Sequence, residues 1–239
     1  MEHYELIQSL IESSGLNLDK DQIDRLSRFA GKIFTENSNY NLTGFKSINE
    51  MTEGLIIGSL LPFKTAEVPR GTLFCDLGSG SGIPGIPVCV MLDDIEGILV
   101  ESSMKKNNFM NEVFSLLGLN NVSAVCERAE DFGRIDGNRG KFGLVVSRAF
   151  AHEYVVIEMA APVMSEGGSL FIYANRDYTG LPASVIDHAE ELGLIPGNPY
   201  NIDLTGGGIA FIKKGITPDK YPRRYPVIKR ESDRAMNDS

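Results

Sequence analysis

The apolar positions of this 239-residue chain change period near residue 72. Ahead of it, Leu6, Ile7, Leu10 and Ile11 fall on one helical face, and Ile23, Leu26, Phe29, Ala30 and Ile33 repeat the pattern. Asp19 and Asp21 suit helix caps. A polar break runs from Glu36 to Thr43, and a further helix is expected from Asn49 to Leu61, ending before Pro62. From Thr72 onward, short apolar runs alternate with helical stretches. Strands are predicted at 72–77, 97–101, 122–126, 142–147, 168–174 and 208–213, and helices at 84–92, 103–117, 153–161 and 182–192. That alternation predicts an α/β fold, a doubly wound and mainly parallel sheet, with a helical N-terminal extension. The division expected is 1–68 as a helical cap, 69–214 as the sheet domain and 215–239 as a basic tail. Pro218, Pro222, Pro226 and many charges make that tail read as extended and partly disordered.

The stretch Leu73-Phe-Cys-Asp-Leu-Gly-Ser-Gly-Ser-Gly-Ile-Pro-Gly85 carries the most chemistry. A short apolar run with one acid, Asp76, ends in glycines at 78, 80 and 82. Residues without Cβ let the backbone come close to a ligand, and the order strand, loop, helix puts that ligand at the sheet's carboxyl edge. Dinucleotide binding wants a glycine at the sixth place, where Ile83 stands; a P-loop wants a Gly-Lys-Ser/Thr ending, and no lysine follows. An acid before Gly-x-Gly-x-Gly resembles the first motif of class I methyltransferases, which bind S-adenosylmethionine. A Cβ branch at Gly78 is expected to fill the space a nucleoside needs.

The bulk properties narrow the picture. No stretch is long and apolar enough to span a bilayer, and no basic region leads an apolar core at the N-terminus, so we expect a cytoplasmic protein. Cys75, Cys89 and Cys126 show no zinc or redox spacing and read as buried thiols in a reducing compartment. The net charge is −9, yet residues 213–230 hold Lys213, Lys214, Lys220, Arg223, Arg224, Lys229 and Arg230 against Asp219 alone. A basic tail on an acidic body suits local phosphate contact, and Tyr221 and Tyr225 suit stacking on bases.

Further candidates follow from the sheet's carboxyl edge. Glu101 ends the second predicted strand at the spacing where an acid meets ribose hydroxyls. Glu127-Arg-Ala-Glu-Asp-Phe132 follows the third strand, at the adenine end of such a pocket. There Glu130 or Asp131 suits the exocyclic amine, and Ala129 is small enough to admit the ring. Arg148 ends the fourth strand and suits either an anionic ligand group or a structural ion pair. His3, His152 and His188 are scattered and read as surface or structural residues. Without a recognisable acid–base pair, methylation of a ring nitrogen fits best, because its lone pair needs alignment and no base.

The chain resembles the glucose-inhibited division protein B family, methyltransferases that modify guanine N7 in bacterial small-subunit ribosomal RNA. The residues carrying the likeness lie between about Phe29 and Lys213. They are Asn39-Tyr-Asn-Leu-Thr43, Asp76-Leu-Gly-Ser-Gly-Ser-Gly-Ile-Pro-Gly-Ile-Pro87, Lys105-Lys106 with Phe109, Glu127 to Phe132, and Ser147-Arg-Ala-Phe-Ala151. Lys220-Tyr-Pro-Arg-Arg224 resembles the basic tail of many members. The resemblance implies an S-adenosylmethionine pocket lined by Gly78, Ile83, Ala129, Glu130 and Arg148, with Glu101 near the ribose; Gly80 of the glycine turn is expected to bind the cofactor with them. It implies 16S rRNA or a small-subunit precursor as partner; no metal, no membrane and a monomer are expected besides. It puts Asn41 at the RNA face, with Arg176 as a second candidate substrate contact and no general acid or base. Members usually carry a His and an Asp where Gly54 and Gly58 stand, and an arginine near Gly207. A divergent paralogue acting on another RNA or a small molecule, and a non-catalytic cofactor- or RNA-binding module, are the alternatives.

Overall fold

The computed structural model describes residues 2–40, 44–45, 47–174, 180–201 and 206–237. Helices α1 (Glu2–Ser14) and α2 (Lys20–Tyr40) pack on each other through the predicted apolar faces, with Ile7, Leu26, Phe29 and Ile33 fully buried. The predicted third helix is broken into α3 (Ile48–Met51), a π-helical turn (Thr52–Ile57), α4 (Gly58–Leu60) and a short 3₁₀ turn (Leu61–Lys64).

Then the alternation begins: β1 (Leu73–Leu77), α5 (Gly85–Met91), β2 (Glu96–Val100), α6 (Met104–Leu117), β3 (Val122–Val125), α7 (Ala129–Phe132) and β4 (Phe142–Arg148). It continues with α8 (Glu153–Ala160), β5 (Met164–Ala174), α9 (Ala183–Glu191), β6 (Leu194–Asn201), β7 (Gly207–Lys213) and α10 (Tyr225–Asn237). The sheet order is β3-β2-β1-β4-β5-β7-β6. The first five strands run parallel, and β7 and β6 join antiparallel. Order reverses between β1 and β4, so their carboxyl ends open the crevice where a ligand sits in such sheets.

Alternate residues feed the two faces of the sheet. Phe74, Leu99, Leu144 and Val146 face the N-terminal helices and α6. Cys75, Leu77, Val100 and Val145 face α8 and α9. Both faces are covered, which explains the continuous apolar runs of the central strands.

Three expectations need correction. The segment Leu194–Asn201 is a strand outside the predicted set, although it carries Pro196, Gly197 and Pro199. It survives because it is the sheet's edge, with its register shift between Pro196 and Pro199, where a missing N–H is tolerated. Residues 225–237 form a helix and not an extended tail. Ile228, Ser232 and Ala235 make a sparse stripe with helical spacing, and Pro226 sits in the first turn, where its lost N–H costs nothing. Cys126 is exposed, while Cys75 and Cys89 are buried.

Candidate functional site

The turn after β1 is held from below. Ser79 Oγ donates to the Asp76 carbonyl at 2.8 Å, and the N–H groups of Gly78 and Ser79 both donate to Val100 O at 3.0 Å. Gly78, Gly80 and Gly82 all have positive φ, at 76°, 56° and 88°, a region that side chains resist. Asp76 faces away from the crevice. It is wholly buried, and its Oδ2 accepts from Gly85 N at 2.9 Å. Oδ1 has no hydrogen-bond partner among the described residues. Burial pushes this carboxyl up to about 7, against the pull of the Gly85 N–H. The acid of the motif is therefore an anchor joining β1 to the start of α5.

Glu101 continues β2 into the crevice. Its Oε2 accepts from Gly80 N at 3.0 Å and its Oε1 from Ser103 N at 2.7 Å. One carboxylate thus fixes both the glycine turn and the entry to α6. Ala129 and Glu130 open α7 and are buried, with Arg128 Nη1 3.9 Å from Glu130 Oε1. Arg148 ends β4, where the neighbouring Ser147 Oγ donates to Leu77 O at 2.9 Å. The guanidinium donates to the carbonyls of Gly54 at 2.8 Å and Leu55 at 3.4 Å, and lies 5.6 Å from the Tyr173 ring centroid. Among the described residues no carboxylate pairs with it. Burial lowers its pKa, against the neighbouring Tyr173 and Tyr200.

These residues surround one cavity of about 620 Å³. Its walls include all seven of the predicted cofactor residues: Gly78, Gly80, Ile83, Glu101, Ala129, Glu130 and Arg148. Asn41 and Arg176 lie outside the described residues. Phe45, Leu55, Lys106 and Tyr225 also line the cavity, and no local motif marked Phe45, Leu55 or Tyr225 for that place. Phe150 stands over Gly78: an ideal Cβ there would lie 2.3 Å from Phe150 Cδ2. A side chain at 78 therefore meets this ring. At Gly80 an added Cβ would meet only Gly78 O, at 4.0 Å.

The cavity fits an adenosyl sulfonium. Its volume is that of a small-molecule site. It offers a glycine turn for close approach, a carboxylate for vicinal hydroxyls and a guanidinium for a carboxylate.

The basic segment is partly used inside the protein. Lys213 is buried, its pKa lowered to about 8 by burial and the nearby Arg139; its Nζ donates to Leu192 O at 2.7 Å. Lys220 pairs with Glu191 at 2.8 Å and Arg223 with Glu158 at 2.6 Å. Tyr221 is buried and donates to Glu191 Oε1 at 2.7 Å, which removes it from any base-stacking role. Lys214, Arg224, Lys229 and Arg230 remain exposed.

The switch-point cleft, the glycine turn and the sheet order define a Rossmann-like class I methyltransferase fold. A SAM-dependent methyltransferase from Aquifex aeolicus shares it, with a TM-score of 0.52 at 15% identity, over 69% of this chain and 93% of that one. So does a fibrillarin pre-rRNA processing protein from Methanococcus jannaschii, with a TM-score of 0.51 at 14% identity, over 69% and 76%. Residues 22–179 match the family model for rRNA small subunit methyltransferase G. The chain is 33% identical over 213 residues to the ribosomal RNA small subunit methyltransferase G of Fervidobacterium nodosum, covering 88% of this chain and 97% of the relative. To the protein of that name from Moorella thermoacetica it is 31% identical, over 92% and 93%. The chain belongs to the rRNA small subunit methyltransferase G family.

Proposed function

We propose that this protein transfers a methyl group from S-adenosylmethionine to N7 of a guanine in 16S rRNA, on the small subunit or its precursor. It works in the cytoplasm, as a monomer. One observation carries the reading: in a chain of this family, seven residues separated by up to 70 positions line a single crevice at the sheet's switch point.

The cofactor supplies an electrophilic methyl on a sulfonium. The backbone at Gly78 and Gly80 lies along the nucleoside, and Ile83 packs beneath it. Glu101 accepts from the ribose hydroxyls. Ala129 leaves room for the adenine, and Glu130 accepts from its exocyclic amine. Arg148 holds the methionine carboxylate, a charge-assisted pairing that its present carbonyl partners leave room for. Asn41 and Arg176 contact the RNA. Guanine N7 has a free lone pair and loses no proton, so alignment and electrostatics suffice.

Transfer of labelled methyl to small-subunit rRNA, followed by base-resolution mapping, tests this reading. Label at one guanine N7 is expected. Cofactor binding without label would favour the alternatives, a paralogue with another substrate or a binding module. Gly54 supports those alternatives: it stands in a π-helical turn beside Arg148, at one of the two places where the resemblance leads us to expect a His or an Asp.

A further inference from the structure

Tyr225, the first residue of α10, lines the cofactor cavity. It lines the same cavity as Arg128, Ala129 and Glu130, the residues assigned to adenine, and packs against the apolar cluster that holds Ala129 and Phe132. The chain reaches this place through Lys220-Tyr-Pro-Arg-Arg224, which is fastened on both sides.

On one side, Pro222 lies against the end of α7: an added Cβ on Gly133 would sit 3.1 Å from Pro222 Cγ. On the other, Arg223 grips a wholly buried carboxylate. Its backbone N and its Nε donate to Glu158 Oε1 at 2.8 and 3.0 Å, and its Nη2 to Oε2 at 2.6 Å. Nη1 pairs with Glu231 at 2.6 Å, one turn and a half along α10. His188 Nε2 lies 3.1 Å from Glu158 Oε2. Beyond Tyr225, Ile228 and Ser232 are buried and α10 packs on α8 and α9. A residue held between a buried ion pair and a packed helix face has little freedom to leave the cavity wall. Such an arrangement is a poor use of a basic segment whose only task is to reach for RNA.

We propose that Tyr225 forms the outer wall of the adenine subsite, its ring packing on the nucleobase, and that the Glu158–Arg223 pair seats it there. Tyr225 is a binding residue; Arg223 is a positioning residue acting through it. This rests on reading the cavity as the S-adenosylmethionine site.

The test uses full-length protein carrying Tyr225→Ala, Tyr225→Phe or Arg223→Met, with S-adenosylhomocysteine as the probe in titration calorimetry. An aromatic wall predicts about a tenfold rise in Kd for Tyr225→Ala and a change within about twofold for Tyr225→Phe, which keeps the ring. Arg223→Met is expected to weaken binding in the same direction. In methyl transfer, Tyr225→Ala is expected to raise the KM for S-adenosylmethionine and leave the KM for RNA unchanged, a split that loss of packing alone does not produce. Wild-type affinity in Tyr225→Ala, or a rise confined to the KM for RNA, overturns the proposal. If the wild-type protein itself binds no S-adenosylhomocysteine, the cavity reading beneath it fails, a result distinct from either.

Discussion

Arg148 Nη2 donates to the carbonyl oxygen of Gly54 at 2.8 Å, joining the carboxyl end of β4 to a π-helical turn 94 residues earlier. The turn's carbonyls draw on side-chain donors as well, because the Ser59 hydroxyl donates to Leu55 O beside Arg148. Tyr173 adds a second tie, its hydroxyl donating to Ser59 O at 2.6 Å. One guanidinium therefore serves both the cofactor cavity and the N-terminal helices.

That double role separates two substitutions. Arg148→Lys keeps the charge and loses the planar fork, so S-adenosylhomocysteine binding is expected to weaken about tenfold. Arg148→Met takes this donor from Gly54 O, while Leu55 O keeps the Ser59 hydroxyl, and is expected to cost about 1–3 kcal/mol of stability as well. Calorimetry and urea denaturation read the two effects. Unchanged stability in Arg148→Met would remove Arg148 as the tie.

Two alanines in the glycine turn are expected to act differently. Both positions have positive φ, which costs an alanine about 1–2 kcal/mol. At Gly78 the new Cβ also meets Phe150, so Gly78→Ala is expected to destabilise more, and Phe150→Ala in the same chain to restore part of the loss. At Gly80 the Cβ finds open space, so the expected loss is mainly in cofactor affinity. Equal thermal stabilities for the two single variants would refute this division.

The Glu158 cluster predicts acid lability. Burial raises the carboxyl, but His188 and Arg223 outweigh it and hold the pKa at about 2, below the usual 4.5. A carboxyl depressed on folding stabilises above its unfolded pKa and loses that contribution as pH falls. Wild-type stability is thus expected to drop between about pH 4.5 and 2, more steeply than in Glu158→Gln. Urea titrations at pH 5 and pH 3 measure the difference; parallel losses would sink the idea.

Asp76 has the opposite sign. Its folded pKa is raised from 3.8 to about 7, so the native state holds a proton the unfolded chain has lost. Stability is expected to fall as pH rises across that window, and Asp76→Asn to flatten the fall. Denaturation of both proteins at pH 5 and pH 8 provides the comparison, and indistinguishable slopes would contradict the raised pKa.

The sequence by itself determined the parallel core and which segments meet at its carboxyl edge. A five-residue apolar run, three closely spaced glycines and a strand-ending acid are short-range features, and backbone sterics makes them mean the same thing in any surroundings. Gly78, Glu101, Ala129 and Arg148 line one cavity for a related reason: each sits at the carboxyl end of a strand or just beyond it, and the fold brings all such ends together. Only the tertiary structure decided the rest. Leu194–Asn201 is a strand because β7 offers it an edge. Arg223 is an internal clamp because Glu158, 65 residues away, is buried and needs its charge. Tyr225 reaches the cavity only because that clamp and the face of α8 hold the last helix in place. Desolvation and ion pairing between distant segments leave no periodic trace in the sequence, and these turned a stretch that reads as a solvated basic tail into part of the wall.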